Sequence, residues 1–346
     1  MGQVVRFTAP RKVDLIEEDA GEPGEDQVLV RTRYSGISSG TELTAYRGTN
    51  PYLSRHWDGD RRLFTDTGAT FDYPLVGWGY QEVGEVVSAG AAVTGLRPGD
   101  VVWGVWGHRS HAVVDAARLA GHVLAPHVDP LAGVFARLGA IAFNAVLDAG
   151  PLLGSHVVVF GQGALGLLTT RLAVLAGASV IAVDTLSQRR ELAVLTGAGH
   201  VLDPAAGAVA ERVHELTGGR GADVCIEISG SYAGLHEAIR AAGPAGRVVA
   251  SGFYQGPATQ LRLGEEFHHN RVQLIASQIS GVNPALGPRW HVERLQLSFM
   301  DLVAGGRLDP LGLVTHVFDA GEVAKIFQLL DERPHEALQA VLWFRS

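Results

Sequence analysis

The chain has 346 residues, enough for about two domains, which argues against a single small module. Acidic residues (36) outnumber lysine and arginine (28), and the formal net charge of −8 gives no electrostatic reason to expect nucleic acid or an anionic membrane as a partner. The one cysteine, Cys225, excludes an internal disulfide and a cysteine-rich zinc cluster.

The N-terminus, MGQVVRFTAP, lacks the pattern of a signal peptide. Polar or charged residues such as Arg137, Asn144 and Asp148 interrupt the longest apolar runs. We therefore expect a cytoplasmic protein with no membrane-spanning segment and no membrane partner.

The chain up to residue 123 has the pattern of a β-rich domain. Short strands are predicted at residues 27–34, 83–88 and 101–106, separated by Gly, Pro and Asp turns. Residues 46–74 form a polar segment without a helical or strand period. Long ordered loops of this kind are often functional, although a solvated insertion has the same pattern.

Beyond Pro130 the chain alternates apolar strands with amphipathic helices. Strands are predicted at residues 156–160, 179–184, 223–228, 246–251 and 273–278, and helices at 131–148, 165–176 and 232–242. This alternation indicates an α/β fold with a doubly wound parallel sheet. We assign it to residues 124–290. A helix, a strand and a last helix–strand pair follow, so residues 291–346 are expected to complete the first domain.

A glycine-rich turn lies between the first strand and helix of the α/β half. It consists of Gly161, Gln162, Gly163, Ala164, Leu165 and Gly166. Gly161 would allow the tight turn, Gly163 would let a pyrophosphate approach the backbone, and Gly166 would let helix and strand pack closely. Strand, turn, helix and second strand follow in the order of a Rossmann dinucleotide site, so all six residues are candidate cofactor ligands.

An acidic residue, Asp184, ends the second strand 18 residues after Gly166. A carboxylate there accepts hydrogen bonds from the adenosine ribose and repels a 2′-phosphate, which favours NAD while leaving NADP possible. Arg189 follows; it would contact a phosphate, lie against the adenine or face solvent.

Other segments, together with the fingerprint, resemble the medium-chain dehydrogenase/reductase superfamily, which includes zinc alcohol and threonine dehydrogenases. They are the SGTE motif at 39–42, PLVGWGYQEVGEVV at 74–87 and LRPGDVV at 96–102. A branch labelled bacteriochlorophyllide-dehydrogenase-like is especially similar. The resemblance implies a GroES-like catalytic domain joined to a Rossmann domain.

The zinc ligands of that superfamily are replaced in this chain. The resemblance places Ser39 at the cysteine position, Tyr80 at the histidine position, and Ala136 or Arg137 near the third ligand. None of these supplies a thiolate or a neutral ring nitrogen. We therefore expect a zinc-free member of the superfamily with no metal site.

Without zinc, hydrogen-bond donors or a positive charge must stabilise the substrate oxygen. Tyr80 is the first candidate for general acid and base, with simple packing as the alternative. The resemblance makes Thr41 the start of a proton relay and Ser39 a lining residue. Glu42 would orient Tyr80 or a substrate hydroxyl, or form a structural ion pair.

Three further residues are candidates for substrate contact, each with a structural alternative: Trp78, His108 and Arg61. In the α/β half, the resemblance places Ser229, Gly252 and Ser277 near the nicotinamide. Residues 274–282 would pair two copies in a homodimer or form a buried last strand.

The leading hypothesis is a zinc-independent NAD(P)-dependent oxidoreductase that interconverts a secondary alcohol and a ketone on a small, polyhydroxylated or secondary-metabolite substrate. One alternative is a reductase of quinones or enones, which the missing ligands fit equally well. Another is a non-catalytic nicotinamide-binding protein.

Overall fold

The structure, a computed structural model, describes residues Gly2–Arg345. In chain order the strands are β1 (Gly2–Ala9), β2 (Lys12–Glu18), β3 (Gln27–Ile37), β4 (His56–Asp58), β5 (Leu63–Thr65), β6 (Leu75–Val76), β7 (Glu82–Ala89), β8 (Val101–Gly104), β9 (His111–Asp115), β10 (His156–Phe160), β11 (Ser179–Val183), β12 (His200–Leu202), β13 (Ala222–Glu227), β14 (Ala242–Ala250), β15 (Gln273–Ala276), β16 (Val314–Asp319) and β17 (Gln339–Trp343). The α-helices are α1 (Thr41–Arg47), α2 (Ala136–Ala149), α3 (Ala164–Leu175), α4 (Ser187–Leu195), α5 (Val209–Leu216), α6 (Tyr232–Ala241), α7 (Glu266–His269), α8 (Val292–Ala304) and α9 (Val323–Glu332).

The chain divides into two compact units. The first runs up to Arg137 and resumes at Met300, and the second extends from Leu138 to Phe299. Both boundaries fall later in the chain than the predicted ones after residues 123 and 290. A 3₁₀ turn, Pro130–Phe135, packs on β3, β7 and β8 and so belongs to the first unit. The sequence changes to an α/β pattern at the beginning of this turn, which explains why the predicted first boundary lies earlier in the chain than the observed one.

The first unit is built around β3. Its main sheet has the order β16-β17-β3-β7-β8, and β9 also pairs with β3. The predicted strands at 27–34 and 83–88 are confirmed as parts of β3 and β7, whereas the one at 101–106 ends at Gly104. Because β17 pairs antiparallel with β3, the end of the chain returns to this unit, as predicted.

Smaller elements complete the first unit. Strands β2, β1 and β6 form a second sheet, and β4 and β5 form a hairpin within the segment predicted to lack regular structure. The rings of Phe7, Tyr46 and Phe327 pack together between β1, α1 and α9, with Phe7 and Phe327 perpendicular at 5.1 Å. This apolar cluster fixes α1, which begins with Thr41 and Glu42.

The second unit contains the predicted parallel sheet. Its six strands have the order β12-β11-β10-β13-β14-β15, and every adjacent pair is parallel. This is the strand order of doubly wound dinucleotide-binding folds. Val157, Val158 and Val159 on the central strand β10 are fully buried, as expected for a strand covered on both faces.

The 3₁₀ turn and α2 together form a helical stretch, Pro130–Ala149, where the sequence predicts a helix. By length and composition it could cross a membrane, contrary to our expectation, but 61% of its most apolar window is buried inside the protein. Asn144 and Asp148 lie in the buried part and hydrogen-bond to each other at 3.3 Å. Asn144 Nδ2 thus has partners inside the protein, whereas Asn144 Oδ1 is buried without a hydrogen-bond partner among the described residues.

Candidate active site and cofactor site

The glycine-rich turn after β10 has the conformation that a dinucleotide site requires. Gly161 has a φ of +91°, and its N–H donates to the carbonyl oxygen of Val183 at 2.8 Å. A Cβ atom on Gly166 would lie 1.9 Å from the carbonyl oxygen of Gly161. Both positions therefore need glycine, for the turn and for close packing of helix against strand.

The N-terminus of α3 offers donors and space for a phosphate. Gly163 is the N-cap and supplies no side-chain cap; a Cβ atom on it would find only Arg189 Nη1 within 4 Å among the described residues, at 3.9 Å. Ala164 and Leu165 form the first turn, where backbone N–H groups have no partner inside the helix. The residues present thus fit a dinucleotide pyrophosphate.

Gln162 lies in the same turn but faces the protein interior. Its Nε2 donates to the carbonyl oxygen of Val159 and its Oε1 accepts from the Thr170 hydroxyl, both at 2.9 Å. Its backbone N–H donates to Asp184 Oδ2 at 2.7 Å. Contrary to the prediction, Gln162 shapes the turn and presents neither group to a cofactor.

Asp184 connects this turn to the end of β11. Its second oxygen, Oδ1, accepts the N–H of Leu186 at 2.9 Å, and the residue is buried. A carboxylate has about four acceptor positions, so it can accept more than these two hydrogen bonds. Asp184 therefore fits the predicted ribose role and also stabilises the turn.

The two arginines that follow, Arg189 and Arg190, differ in their contacts. Arg190 donates to the backbone carbonyl of Asp184 at 2.7 Å and pairs with Asp203 at 3.0 Å, so it is held in place. Arg189 approaches Asp184 Oδ2 at 4.0 Å and lies beside Gly163. Of the two, Arg189 is the one beside the glycine-rich turn.

A buried carboxylate, Glu227, organises the loops after β13 and β14. It accepts the N–H of Ser229 at 2.9 Å, the Ser229 hydroxyl, the N–H of Gly230 at 3.2 Å and the Tyr254 hydroxyl at 2.5 Å. A Cβ atom on Gly252 would lie 2.4 Å from the Gly230 nitrogen. The structure thus brings the predicted residues Ser229 and Gly252 together.

Sequence reasoning missed Glu227 and Tyr254. The signal in the sequence was Glu227 near the end of the apolar run DVCIEI, because an unpaired charge at a buried position is costly. Burial raises the pKa of Glu227 despite its hydrogen bonds. Ser277, the third predicted residue, is buried and accepts from Asn144 Nδ2 at 3.1 Å, so its hydroxyl contacts α2.

In the first unit, Tyr80 is the centre of a hydroxyl cluster. Its Oη donates to Ser38 Oγ at 2.5 Å and lies 3.4 Å from Thr41 Oγ1. Ser38 was not predicted, and Ser39, which was, is exposed. Both serines follow the end of β3 at Ile37, and Ser38 is the one that is buried.

Burial and the charge of Glu42 raise the pKa of Tyr80, whereas its hydrogen bonds to Ser38 and Thr41 and the positive charge of Arg137 lower it. The net shift is upward, so the phenol is protonated at neutral pH. A half-buried phenol with acceptor hydroxyls beside it can donate a proton to a substrate oxygen and recover it.

Glu42 and His108 form a fully buried pair. His108 Nε2 lies 2.7 Å from Glu42 Oε2, and Nδ1 lies 2.6 Å from Ser35 Oγ, which donates to Glu82 Oε1 at 3.1 Å. Glu82 also accepts the N–H of Trp106 at 2.9 Å. With both ring nitrogens of His108 protonated, every contact in this chain has one donor and one acceptor.

The pair corrects two predictions. Since Glu42 and His108 are fully buried, neither touches a substrate; the structural ion pair suggested for Glu42 is the observed arrangement. Burial opposes the charged ring, but the charge and hydrogen bond of Glu42 raise the pKa of His108. Burial raises the pKa of Glu82 as well.

Trp78 and Arg61 belong to the segment before Tyr80. Trp78 is half-buried and packs edge-on against Phe71 at 5.3 Å, within an aromatic cluster that continues to the β4–β5 hairpin. Arg61 lies in the turn of that hairpin, is exposed and approaches Asp58 at 3.6 Å. Trp78 is thus part of a packed cluster and Arg61 is a surface residue.

The side chains at the positions of the zinc ligands do not fit a zinc ion. Hydroxyl, phenol and guanidinium groups replace the thiolate and ring nitrogen that zinc prefers. Between Gly2 and Arg345, no group of three or more His, Cys, Asp or Glu side chains is placed to hold a metal. We therefore derive no chemical step through zinc.

Known proteins resemble this chain over nearly its full length. The D-guloside 3-dehydrogenase of Shigella flexneri is 29% identical over 345 residues, covering 97% of this chain and 98% of the relative. The 2-desacetyl-2-hydroxyethyl bacteriochlorophyllide A dehydrogenase of Rhodobacter capsulatus is 30% identical over 353 residues, or 98% and 97% of the two chains.

A solved structure described as a zinc-binding dehydrogenase of Sinorhizobium meliloti bound to NADP shares the fold, with a TM-score of 0.81, 22% identity and 99% coverage of both chains. The model of the family described as zinc-binding dehydrogenase matches residues 164–286. With the Rossmann sheet and the β-rich unit, these similarities confirm the resemblance seen in the sequence. The chain belongs to the medium-chain dehydrogenase/reductase superfamily and is an oxidoreductase of its alcohol dehydrogenase type.

Proposed function

We propose that the protein interconverts a secondary alcohol and a ketone, with NAD as the preferred cofactor and without a catalytic zinc ion. One observation carries this proposal: the Tyr80 phenol, whose pKa is raised, hydrogen-bonds to Ser38. The resemblance implies that Tyr80 stands where the superfamily has a zinc-binding histidine. A phenol performs the proton transfer that accompanies hydride transfer without needing a metal.

Each part of the chain has a defined task in this reaction. A bound nicotinamide dinucleotide supplies or accepts the hydride. The N-terminus of α3 would hold its phosphates, and Asp184 would hold a ribose hydroxyl. During reduction the Tyr80 hydroxyl gives its proton to the substrate oxygen, and during oxidation the phenolate takes it back. The Ser38 hydroxyl, which accepts the hydrogen bond of Tyr80, relays protons to and from it.

We propose a hydroxylated ring as the substrate. Two of the relatives are named for a guloside and for a hydroxyethyl group on a chlorophyllide, whereas others are named for L-threonine. In this chain, Trp78 precedes Tyr80 by two residues and is half-buried. The part of its ring that is not packed against Phe71 would suit a ring-shaped ligand.

The preference for NAD is tested at Asp184. Replacing it by asparagine removes the charge that repels a 2′-phosphate, while the amide oxygen can still accept one of the two backbone N–H groups that the carboxylate binds. We expect Asp184→Asn to shift the affinity ratio towards NADPH by about tenfold, equivalent to ~1.4 kcal/mol. Fluorescence titration with NADH and NADPH measures this ratio.

Asp223→Asn is the matched control, since Asp223 also accepts a backbone N–H, that of His156 at 2.8 Å, but at the opposite end of the parallel strands. It should leave the ratio unchanged. An unchanged ratio in Asp184→Asn as well would exclude Asp184 as the residue that reads the ribose.

The proposed reaction is tested by following nicotinamide absorbance with NAD and NADP over a panel of cyclitols, glycosides, polyols and simple alcohols. A strong chelator is present throughout, and a parallel series contains added zinc. Turnover that survives the chelator and does not rise with zinc supports a metal-independent alcohol dehydrogenase. No turnover of any alcohol, with reduction of enones or quinones in the same assay, would overturn the proposal in favour of a double-bond reductase.

A further inference from the structure

Arg137, the second residue of α2, carries a positive charge without a counterion among the described residues. It is half-buried, and the structure gives it no ion pair or hydrogen bond with any residue between Gly2 and Arg345. Most other half-buried arginines of this unit have a carboxylate: Arg33 pairs with Glu85 at 2.6 Å, and Arg47 with Asp331 at 2.5 Å. Removing a guanidinium from water without a partner costs free energy, so such a group is a candidate for function.

Packing brings the start of α2 close to the start of β7. Gly133, one helical turn before Arg137, lies so close to β7 that a Cβ atom on it would be 2.8 Å from Val83 Cγ2. Val83 follows Tyr80 by three residues. The pKa of Arg137 also depends on Tyr80. Burial lowers this pKa, whereas the charge of an ionised Tyr80 raises it.

Resting on the proposed function, we infer that Arg137 and Tyr80 act together on the substrate oxygen. In the reduction direction the carbonyl carbon gains a hydride, and the negative charge that develops on the oxygen lies against the Arg137 guanidinium. The oxygen then takes the Tyr80 proton, and the phenolate left behind is itself stabilised by Arg137 until it recovers a proton through Ser38. Oxidation reverses each step, so one hydride and one proton are exchanged in either direction.

Joint action of Arg137 and Tyr80 explains why Arg137 has no carboxylate partner among the described residues. A fixed positive charge stabilises an oxygen anion most strongly where water is scarce and no carboxylate competes for it. A carboxylate paired with Arg137 would cancel that charge. This accounts for the absence of a carboxylate partner, even though burying an unpaired guanidinium costs free energy. The donor chemistry differs from that of a metal ion, because the guanidinium supplies charge while the phenol supplies the proton.

The first test needs no substrate. A fluorinated tyrosine, more acidic than tyrosine, is installed at position 80, and its ionisation is followed by fluorine NMR in proteins with Arg137, Arg137→Met or Arg137→Lys. We expect Arg137→Met to raise the pKa of the fluorophenol by about one pH unit, and Arg137→Lys to change it less, because lysine keeps the charge. An unchanged pKa in Arg137→Met would overturn the pairing.

The second test uses the substrate identified by the panel. Arg137→Met should lower kcat about 100-fold with little change in KM, and Arg137→Lys should keep part of the activity. Guanidinium ions added to Arg137→Ala should restore activity, which a purely structural role would not allow. A raised KM with unchanged kcat would overturn the inference, since Arg137 would then hold a ground-state anion of the substrate.

The two proposals fail in different ways. A wild-type enzyme that turns over alcohols, together with an Arg137→Met variant of unchanged kcat, contradicts the role of Arg137 alone. A wild-type protein that oxidises no alcohol contradicts the proposed function, whatever the fluorine titration shows. NADH binding and cooperative unfolding of each variant identify any loss of activity that comes from misfolding.

Discussion

Tyr80→Phe should lower kcat for alcohol oxidation by about 100- to 10,000-fold while leaving NADH affinity unchanged. The substitution removes one oxygen atom and with it the proton donor of the hydroxyl cluster, and general acid–base groups contribute rate factors of this size. The ring itself remains, so packing around the end of β3 is preserved. Steady-state kinetics gives kcat and KM, and fluorescence titration gives the affinity for NADH.

Tyr73→Phe is the matched control. Tyr73 lies in the same unit, is half-buried and donates its hydroxyl to the backbone carbonyl of Ala45, away from the cluster. It undergoes the same chemical change and should retain wild-type kcat. If Tyr80→Phe also retained it, Tyr80 would be a packing residue, and the proton would have to come from another group.

A comparison of Tyr80→Phe with Ser38→Ala distinguishes the proton donor from its neighbours. Thr41 Oγ1 lies 3.4 Å from the phenol and Ser38 Oγ lies 2.5 Å from it, so both depend on the same water-poor surroundings. If Ser38 only relays protons, Ser38→Ala should slow the reaction less than Tyr80→Phe does. The order of these two effects thus separates the donor from the carrier.

The fold of the second unit could be predicted because its information is local. Apolar runs such as VVVF and a glycine-rich turn specify a buried parallel strand and its connection to a helix. The sheet accordingly has the expected strands, and Gly161 and Gly166 have the expected tight contacts. What local pattern could not show was the direction of Gln162, which depends on its bonds to Val159 and Thr170.

The first unit was harder to predict because its polar groups meet across long distances in the sequence. His108 contacts Glu42, which is 66 residues away, and Ser35, which is 73 residues away. No local period links these positions, so the sequence left two alternatives open for each charged residue: a part in the site or a structural role. Similarly, Ser38 and Ser39 follow the end of β3, and no local pattern shows that Ser38 is the one that contacts Tyr80.

His108→Leu should lower the free energy of unfolding by about 3–5 kcal/mol. The substitution leaves the Glu42 carboxylate buried without its cation, and removing one partner of a buried ion pair typically costs this much. Urea denaturation at neutral pH measures the loss. The double variant Glu42→Leu/His108→Leu also removes the stranded charge and should recover much of the stability. A loss in the double variant equal to the sum of the losses in His108→Leu and Glu42→Leu would show that the two groups do not interact.

The pH dependence tests the charge of the same pair. Because the pKa of His108 is raised in the folded protein, the folded state keeps a proton that an unfolded histidine releases above about pH 6.5. The stabilisation is therefore complete below about pH 6.5 and is lost as the pH rises through the folded-state value. Between about pH 6 and pH 9, wild-type stability should fall more steeply than that of His108→Gln, which has no proton to lose. The raised pKa of Glu82 contributes a fall of the same sign, and because the charge of His108 lowers that pKa, both proteins carry Glu82→Gln in this comparison. Parallel curves would show that His108 is neutral in the folded state and that its contact with Glu42 is a hydrogen bond without charge.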